Sequence, residues 1–388
     1  MISHLFFAPQ RIAMQLALVH DWLNQIGGAE DVLDTLVQMY PASPIYTSIY
    51  WREKMPSHWE NWDLHTLWID HLPFIHQKHQ AYLPFYPLAW RSLNLANYDV
   101  VLTNKSGFCH GVKIGTHTLH ICYCLAPTRY VWQYDAYMQR ENVAKPIRLA
   151  LRPMMQLLKR WDYQAAQRVH HFIAISTDIQ QRIKRFYNRD SEIIFPPVEA
   201  AERFVPVPNP EDYFLSVGRL VPYKRVDLIV EACTRLNLPL KVAGRGRDLE
   251  RLQAMAGPTI EFLGYVSDDD LPDLFAHAKA FVFPGFEDFG ITPVQAQAAG
   301  RPVIAYKGGG ALDTVIEGKT GVFFGEQTVE SLMRVLQDFT ASDYNPSDCR
   351  EHALKFDTSI FRQKLSSTVE RAWDEFQTSK RTTLKRTT

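Results

Sequence analysis

No charge of one sign predominates in this chain: lysine plus arginine and aspartate plus glutamate each number 42 among 388 residues. A global basic field for nucleic acid is therefore lacking, no nucleic-acid partner is expected, and any phosphate site must be local. No apolar run approaches the length of a membrane-spanning helix. The opening residues MISHLFFAPQRIAMQ hold too short an apolar core for a signal peptide. Met14 is expected as the true start, because the first clear strand follows it. Cysteine is scarce: Cys109, Cys122, Cys124, Cys233 and Cys349 form an odd, scattered set. Cys122 and Cys124 would share one face of a strand, but no second Cys or His pair completes a metal site. Buried free thiols in a reducing cytoplasm are the expectation. Hydrophobic residues make up 46% of the chain, which implies a large core and excludes bulk disorder.

What is present reads as alternating strands and helices, in a chain long enough for two domains. Residues 15–20 form a short buried strand, and DWLNQIGGAE leads from Asp21 through Gly27 and Gly28 into a helix over 30–39. The paired glycines fit either a plain tight turn or a backbone that lets a ligand approach closely. Residues 51–97 are rich in aromatics, histidine and proline. They read as an irregular helical insert packed on a sheet, or as an apolar surface for a lipid-linked acceptor or a membrane face. Strands follow at 98–103 and 118–124. Ligands of open parallel sheets sit beyond the carboxyl ends of strands, which puts Asn104, Lys105, Ser106 and Arg129 at a cleft edge. Residues 145–169 alternate basic and apolar side chains, as a helix on an anionic membrane would, or as a solvated face over a core stripe would. After strand 171–175, Ser176 is the expected N-cap of a helix to about Phe186, and a strand at 191–195 closes the domain. Prolines 196, 197, 206, 208 and 210 then make an extended connector, and the domain boundary is expected at 199–211.

The second half is more regular. Strands at 213–217, 240–243, 260–263, 280–283, 302–306 and 322–324 alternate with helices near 223–236, 247–256, 268–277, 291–299 and 311–317. That is the pattern of a doubly wound parallel sheet. Helices near 328–339 and 349–377 follow, and SKRTTLKRTT is expected as a frayed basic tail. Arg219 and Lys224 flank the end of the first strand, where two cations suit a diphosphate. Gly218, Gly244 and Gly246, the turn after Gly264, Glu287 and the Gly308–Gly310 run all fall at the same sheet edge and outline a nucleotide-sized cleft. Glu287 and Asp288 lie at the mouth of a helix begun near Pro293, where carboxylates accept from hydroxyls while free backbone N–H groups meet anionic oxygens.

GRLVPYKRVDL, FLGYVSDDDL, FPGFEDFGITPVQAQAAGRPVIAY and GGGALDTVIEGKTG, in this order and spacing, closely resemble the retaining glycosyltransferases of family 4. VHDWLNQIGGAE and HICYCLAPTRYVW match less tightly, and the resemblance covers roughly residues 14–375, nearest the mannosyltransferase-like branch of O-antigen and exopolysaccharide synthesis. It implies the α/β GT-B fold, two Rossmann-like domains facing across a cleft. The acceptor-side domain would span 14–198 and the nucleotide-sugar domain 199–350, with a C-terminal helix at 351–377 crossing back and a tail at 378–388.

The resemblance further implies that Arg219 and Lys224 hold the diphosphate and that Glu287, with them the catalytic set, matches the first acid of an E-x7-E motif on the donor sugar. Asp288 and the backbones of Phe289, Gly290 and Ile291 would seat sugar and phosphate, and Gly218 and Gly244 would line the donor. Main-chain groups at Tyr265 and Val266 would read the base. The Gly27–Gly28 loop would close on the phosphates, with Asp21, Asn104, Lys105, Ser106 and Arg129 on the acceptor side. Three positions depart from the pattern. Gln295 replaces the second acid, which takes the ribose hydroxyls and would here accept through one oxygen only. Leu125 stands for a sugar-contacting histidine, and Ile175 for an asparagine.

The implied activity is metal-independent retaining hexosyl transfer, with no cofactor beyond the nucleotide sugar. The expected donor is GDP-mannose and the expected acceptor a saccharide or a polyprenyl-diphosphate-linked oligosaccharide. The expected location is the cytoplasm, peripheral to the inner membrane face. A UDP-sugar donor, a nucleotide-sugar-binding protein without transfer, and a GT-B epimerase, which the E-x7-E stretch opposes, are the alternatives.

Overall fold

The computed structural model describes residues 14–135, 138 and 144–387; the residues before the expected start at Met14 lie outside the described residues. The first sheet contains β1 Leu16–His20, β2 Ile45–Thr47, β3 Leu64–Thr66, β4 Val100–Lys105, β5 Leu119–Cys124, β6 His171–Ala174 and β7 Glu192–Ile193. Its order is β3-β2-β1-β4-β5-β6-β7. The second contains β8 Phe214–Val217, β9 Leu240–Ala243, β10 Ile260–Gly264, β11 Ala280–Phe283, β12 Val303–Tyr306 and β13 Gly321–Phe324, ordered β10-β9-β8-β11-β12-β13. The ladders are parallel: Leu18 faces Ile45 on one side and Leu102 on the other, and Leu215 lies between Lys241 and Phe281. Parallel strands covered on both faces read as continuous apolar runs, and β1, β4, β5 and β11 are buried along their whole length. This is the pair of doubly wound parallel sheets that the resemblance implied.

Local chemistry explains the elements around the second sheet. Helix Val226–Leu236 starts after Arg225 at φ 53° and stops at Asn237 at φ 52°, a left-handed C-cap whose N–H reaches the carbonyls of Cys233 and Thr234. Between these ends Val226, Ile229, Val230 and Cys233 recur at helical spacing and join Phe214, Val242, Val282 and Ile304 in one buried cluster. Burying each large aliphatic side chain there contributes about 1.5–3 kcal/mol. The five cysteines are buried and free. Burial pushes the Cys233 and Cys349 thiols up to about 12, so both are protonated packing groups.

Three local expectations change, and two short strands are added. Strands β2 and β3 are three residues each, too short to carry an alternation signal; their pairing with β1 and with each other defines them. β4 runs on to Lys105, so Asn104 and Lys105 belong to the strand and not to the loop beyond it. The expected helix over 349–377 is two helices, Pro346–Ala353 and Thr358–Thr387. Asp357 interrupts it: its carboxylate accepts from the N–H groups of Ser359 at 2.9 Å and Ala201 at 3.0 Å. The second of these helices continues to Thr387, within the tail expected to fray.

Among the described residues, contacts group those of 14–131, 153–173 and 368–387 into one compact unit, and those of 132–152 and 174–367 into another. The two groups interleave along the chain, and the described residues from 368 onward cluster with the first unit. In the 51–97 insert, Ile69, Ile75, Leu83, Tyr86 and Trp90 are buried, whereas Phe74, Phe85 and Leu88 remain exposed. In helix Lys145–Gln167, Met155 and Leu158 face inward while Leu149 and Leu157 face solvent. Among the described residues no helix is long and apolar enough to cross a membrane.

Candidate functional site

Each sheet reverses its strand order once, between β1 and β4 in the first and between β8 and β11 in the second. At such a switch point the loops leaving neighbouring strands diverge to opposite faces and open a crevice at the carboxyl edge. In the second sheet β8 and β11 pair through only Ala280–Phe214 and Phe281–Leu215. Their following segments carry Gly218, Arg219 and Lys224 on one side and Glu287 and Asp288 on the other.

Lys224 and Glu287 meet directly. Lys224 Nζ donates to Glu287 Oε1 at 2.7 Å, with side chains 16% and 22% exposed. The lysine reaches across the turn after β8, where a side chain on Gly218 would meet its Nζ. Beside it Gly244 adopts φ +136°, and a Cβ there would lie 1.9 Å from the Gly218 carbonyl oxygen, so the β8 and β9 turns touch backbone to backbone. Arg219 is exposed and donates through Nη2 to the Tyr223 hydroxyl at 3.1 Å. The site thus offers two cations and a carboxylate around a turn of bare backbone, a combination that can take an oxyanion and a hydroxylated group side by side.

The acidic loop is fixed from below by the glycine run. Gly310 N–H donates to the Glu287 carbonyl at 2.9 Å, and a Cβ on Gly309 would fall 2.3 Å from that same oxygen. Gly290, at φ +91°, opens helix Ile291–Ala298, whose N-terminus has no side-chain cap. Phe289 is buried, stacking on Phe195 and meeting Phe356. Gln295 is half-buried one helical turn beyond Ile291 and on the same face. Tyr265 is exposed after β10 with the Arg245 guanidinium 5.6 Å from its ring, and Val266 beside it is half-buried. Asp288 differs from its neighbour: it is buried, and Arg182 Nη1 donates to its Oδ1 at 3.1 Å. No sequence motif marks Arg182, which is an ordinary basic position on helix Thr177–Tyr187.

At the switch point of the first sheet, three of the residues expected on the acceptor side are buried. Asp21 is fully buried. Its two oxygens accept from the N–H groups of Ser106, Gly107, Phe108 and Cys109 at 2.5–2.7 Å. It therefore shapes the turn after β4. Lys105 is fully buried too, its Nζ donating to the Ala126 carbonyl at 2.9 Å and to Thr128 Oγ1 at 3.2 Å. Thr128 Oγ1 in turn lies 2.8 Å from the buried Asp162 carboxylate. Asn104 is buried and donates to the Ala29 carbonyl at 2.8 Å, anchoring the first turn of helix Gly28–Met39.

Gly27 is the N-cap of that helix and Gly28 is exposed. Glu30, buried in the first turn 3.5 Å from His20 Nε2, meets the positive end of the helix from inside. Ser106 and Arg129 are half-buried, and Leu125 is buried. Among the described residues no group of three His, Cys, Asp or Glu side chains could hold a metal ion.

Comparison with known proteins bears on both units. The model of the glycosyl transferases group 1 matches residues 198–356, and that of glycosyltransferase family 4 matches residues 26–202. A GDP-mannose-dependent alpha-(1-6)-phosphatidylinositol monomannoside mannosyltransferase of Mycolicibacterium smegmatis is 31% identical over 176 residues, 38% of this chain and 46% of that protein. The O-antigen chain mannosyltransferase RfbU of Salmonella typhimurium is 28% identical over 157 residues, 36% of this chain and 43% of that protein. The chain thus spans less than half the length of either relative. Among solved structures, Alr3699/HepE of Anabaena in complex with UDP and glucose superposes with a TM-score of 0.66 at 17% identity, covering 92% of this chain and 99% of that one.

Proposed function

The chain belongs to the glycosyltransferases of group 1 and family 4, and from that premise we propose that it moves a hexose from a nucleotide sugar to a saccharide or polyprenyl-diphosphate-linked acceptor. The donor in this proposal is GDP-mannose, supported by the relatives whose names specify mannosyl transfer. The observation that carries the reading is the Lys224–Glu287 pair at the β8–β11 switch point, with Arg219 beside it. As the bond to the sugar breaks, negative charge grows on the leaving diphosphate. Arg219 and Lys224 stabilise it without a metal ion, together with the open N-terminus of helix Ile291–Ala298. Glu287 accepts from donor-sugar hydroxyls. Transfer is retaining: the acceptor hydroxyl attacks from the leaving-group face and a phosphate oxygen takes its proton, so no protein nucleophile is required. Backbone groups at Tyr265 and Val266 read the base, and Gln295 accepts a ribose hydroxyl through its one carbonyl oxygen. The exposed Phe74, Phe85 and Leu88, with the basic residues of helix Lys145–Gln167, support peripheral contact with the cytoplasmic membrane face.

The test is incubation of the purified protein with GDP- and UDP-sugars, following nucleotide release with and without EDTA. Slow hydrolysis of GDP-mannose that EDTA leaves unchanged is the expected result. Turnover of a UDP-sugar alone would replace the donor. Tight nucleotide binding without turnover, even with a lipid-linked acceptor, would favour a binding protein, and a strict metal requirement would overturn the mechanism.

A further inference from the structure

We infer that Arg182 is a positioning residue for Glu287, acting through Asp288, so that helix Thr177–Tyr187 sets how the donor-sugar acid is presented. The inference rests on the donor role proposed above for Glu287. One guanidinium touches both residues that flank this acid. Arg182 Nη1 donates to Asp288 Oδ1 at 3.1 Å, and the group lies 5.6 Å from the centre of the Phe286 ring. Its other terminal nitrogen, Nη2, lies 2.6 Å from Asp178 Oδ2, one helical turn earlier. Arg182 and Asp288 are only 13% and 10% exposed, so water screens the pair weakly. The same helix makes a second tie. Thr177 donates to Asp313 through its N–H at 2.9 Å and its hydroxyl at 2.5 Å, and Asp313 follows the glycine run whose Gly310 holds the Glu287 carbonyl.

These contacts give Asp288 a task other than binding ligand. The carboxylate engaged by Arg182 turns the Phe286–Phe289 backbone so that Glu287, and not Asp288, faces Lys224. A buried ion pair adds little net stability, but leaving one partner alone is costly, so such pairs define one arrangement more than they strengthen it. Lysine could not reproduce the contact. A planar fork can meet Asp178 and Asp288 and lie over Phe286 at once, whereas an ammonium is a point charge that serves one carboxylate at a time.

The test uses the full chain with Arg182→Ala, Arg182→Lys, Asp288→Asn and the Arg182→Ala/Asp288→Asn double variant. Lys184→Ala, which removes an exposed pair with Asp190 on the same helix, is the control. Hydrogen exchange of residues 285–290, measured without ligand, is expected to quicken roughly tenfold in Arg182→Ala and Asp288→Asn, no further in the double variant, and less in Arg182→Lys. With the nucleotide sugar that the wild type turns over, kcat is expected to fall roughly tenfold while the affinity for the nucleoside diphosphate stays within about twofold, because Arg219 and Lys224 remain in place. Unchanged exchange in Arg182→Ala, or additive effects in the double variant, would overturn the inference. Should Arg182→Ala fail to fold, Asp288→Asn and Arg182→Lys decide it by the same exchange measurement. A wild type that neither binds nor consumes any nucleotide sugar would defeat the donor reading instead, and the exchange measurement would still decide whether Arg182 holds the loop.

Discussion

Replacing Lys224 by methionine separates the two jobs assigned to this side chain, because methionine keeps most of the unbranched stem and removes the charge. In the free protein the ammonium is 2.7 Å from Glu287 Oε1. At an effective dielectric of about 20 the two charges attract by about 6 kcal/mol before desolvation, and a charge-assisted hydrogen bond of this kind nets roughly 1.5–3 kcal/mol. The side chains are 16% and 22% exposed, so Glu287 can recover water and the expected loss of stability is about 1 kcal/mol. The functional loss is expected to be larger, because in the proposed mechanism the same charge faces the leaving diphosphate as it becomes more negative. Removing one such stabilising group costs about 3 kcal/mol, roughly a hundredfold in kcat. Glu287→Gln makes the opposite change at the same contact. It removes the carboxylate that neutralises Lys224, so nucleoside diphosphate should bind a few-fold tighter, by about 1 kcal/mol at this partial exposure, while sugar transfer falls. Calorimetric titration with GDP and UDP reads the affinities, nucleotide release reads turnover, and thermal melting confirms folding. The reasoning is refuted if Lys224→Met binds nucleoside diphosphate as tightly as the wild type, or if Glu287→Gln weakens that binding as much as Lys224→Met does.

Two further predictions concern packing and titration. Gly244→Ala should destabilise by more than about 2 kcal/mol, since its Cβ would sit 1.9 Å from a backbone oxygen at φ +136°. Gly318→Ala, at φ +75° with nothing within 4 Å, should lose only about 1 kcal/mol of backbone strain; equal losses in urea melts would remove the steric account of the β8–β9 turn. His352 is 9% exposed, and burial, followed by the charge of Lys355, pushes it down to about 4. Above about pH 6.5 it is neutral in both states; between 6.5 and 4 the unfolded chain takes up a proton that the native state refuses, so stability falls by about 3 kcal/mol as pH drops through that window. His352→Leu should flatten this slope in denaturant melts at pH 7.5 and 5, and an unchanged slope would place the effect in another group.

Much of the second sheet and its edge was legible because its signals are local. β9 and β11 stand where the apolar runs bounded by glycine and proline put them, since a parallel strand covered on both faces needs little beyond unbroken apolarity. Gly218, Arg219, Glu287 and the glycine run lie at one edge because the alternation of strands and helices places every such loop at the carboxyl ends. β2 and β3 were illegible, because three residues cannot carry a period and only their partners define them. Asn104 and Lys105 look like loop polars in the sequence, yet they end β4 inside the protein, where the Ala29 and Ala126 carbonyls receive their donors.

The same distinction separates Glu287 from Asp288. Composition and spacing determined that an acidic pair would sit at the mouth of helix Ile291–Ala298, since Gly290 and Pro293 specify that start locally. Which carboxylate meets a cation that can also serve a ligand, and which is tied into the framework, was decided by tertiary structure alone. Glu287 is paired by Lys224, 63 residues away, and Asp288 by Arg182, 106 residues away. Asp21 follows the same rule, its oxygens taken by N–H groups some 85 residues on. A residue's type and its neighbours in sequence state what it can bond. Only the folded chain brings up the partner that uses the bond, because a hydrogen bond spans about 3 Å of space and is blind to distance along the chain.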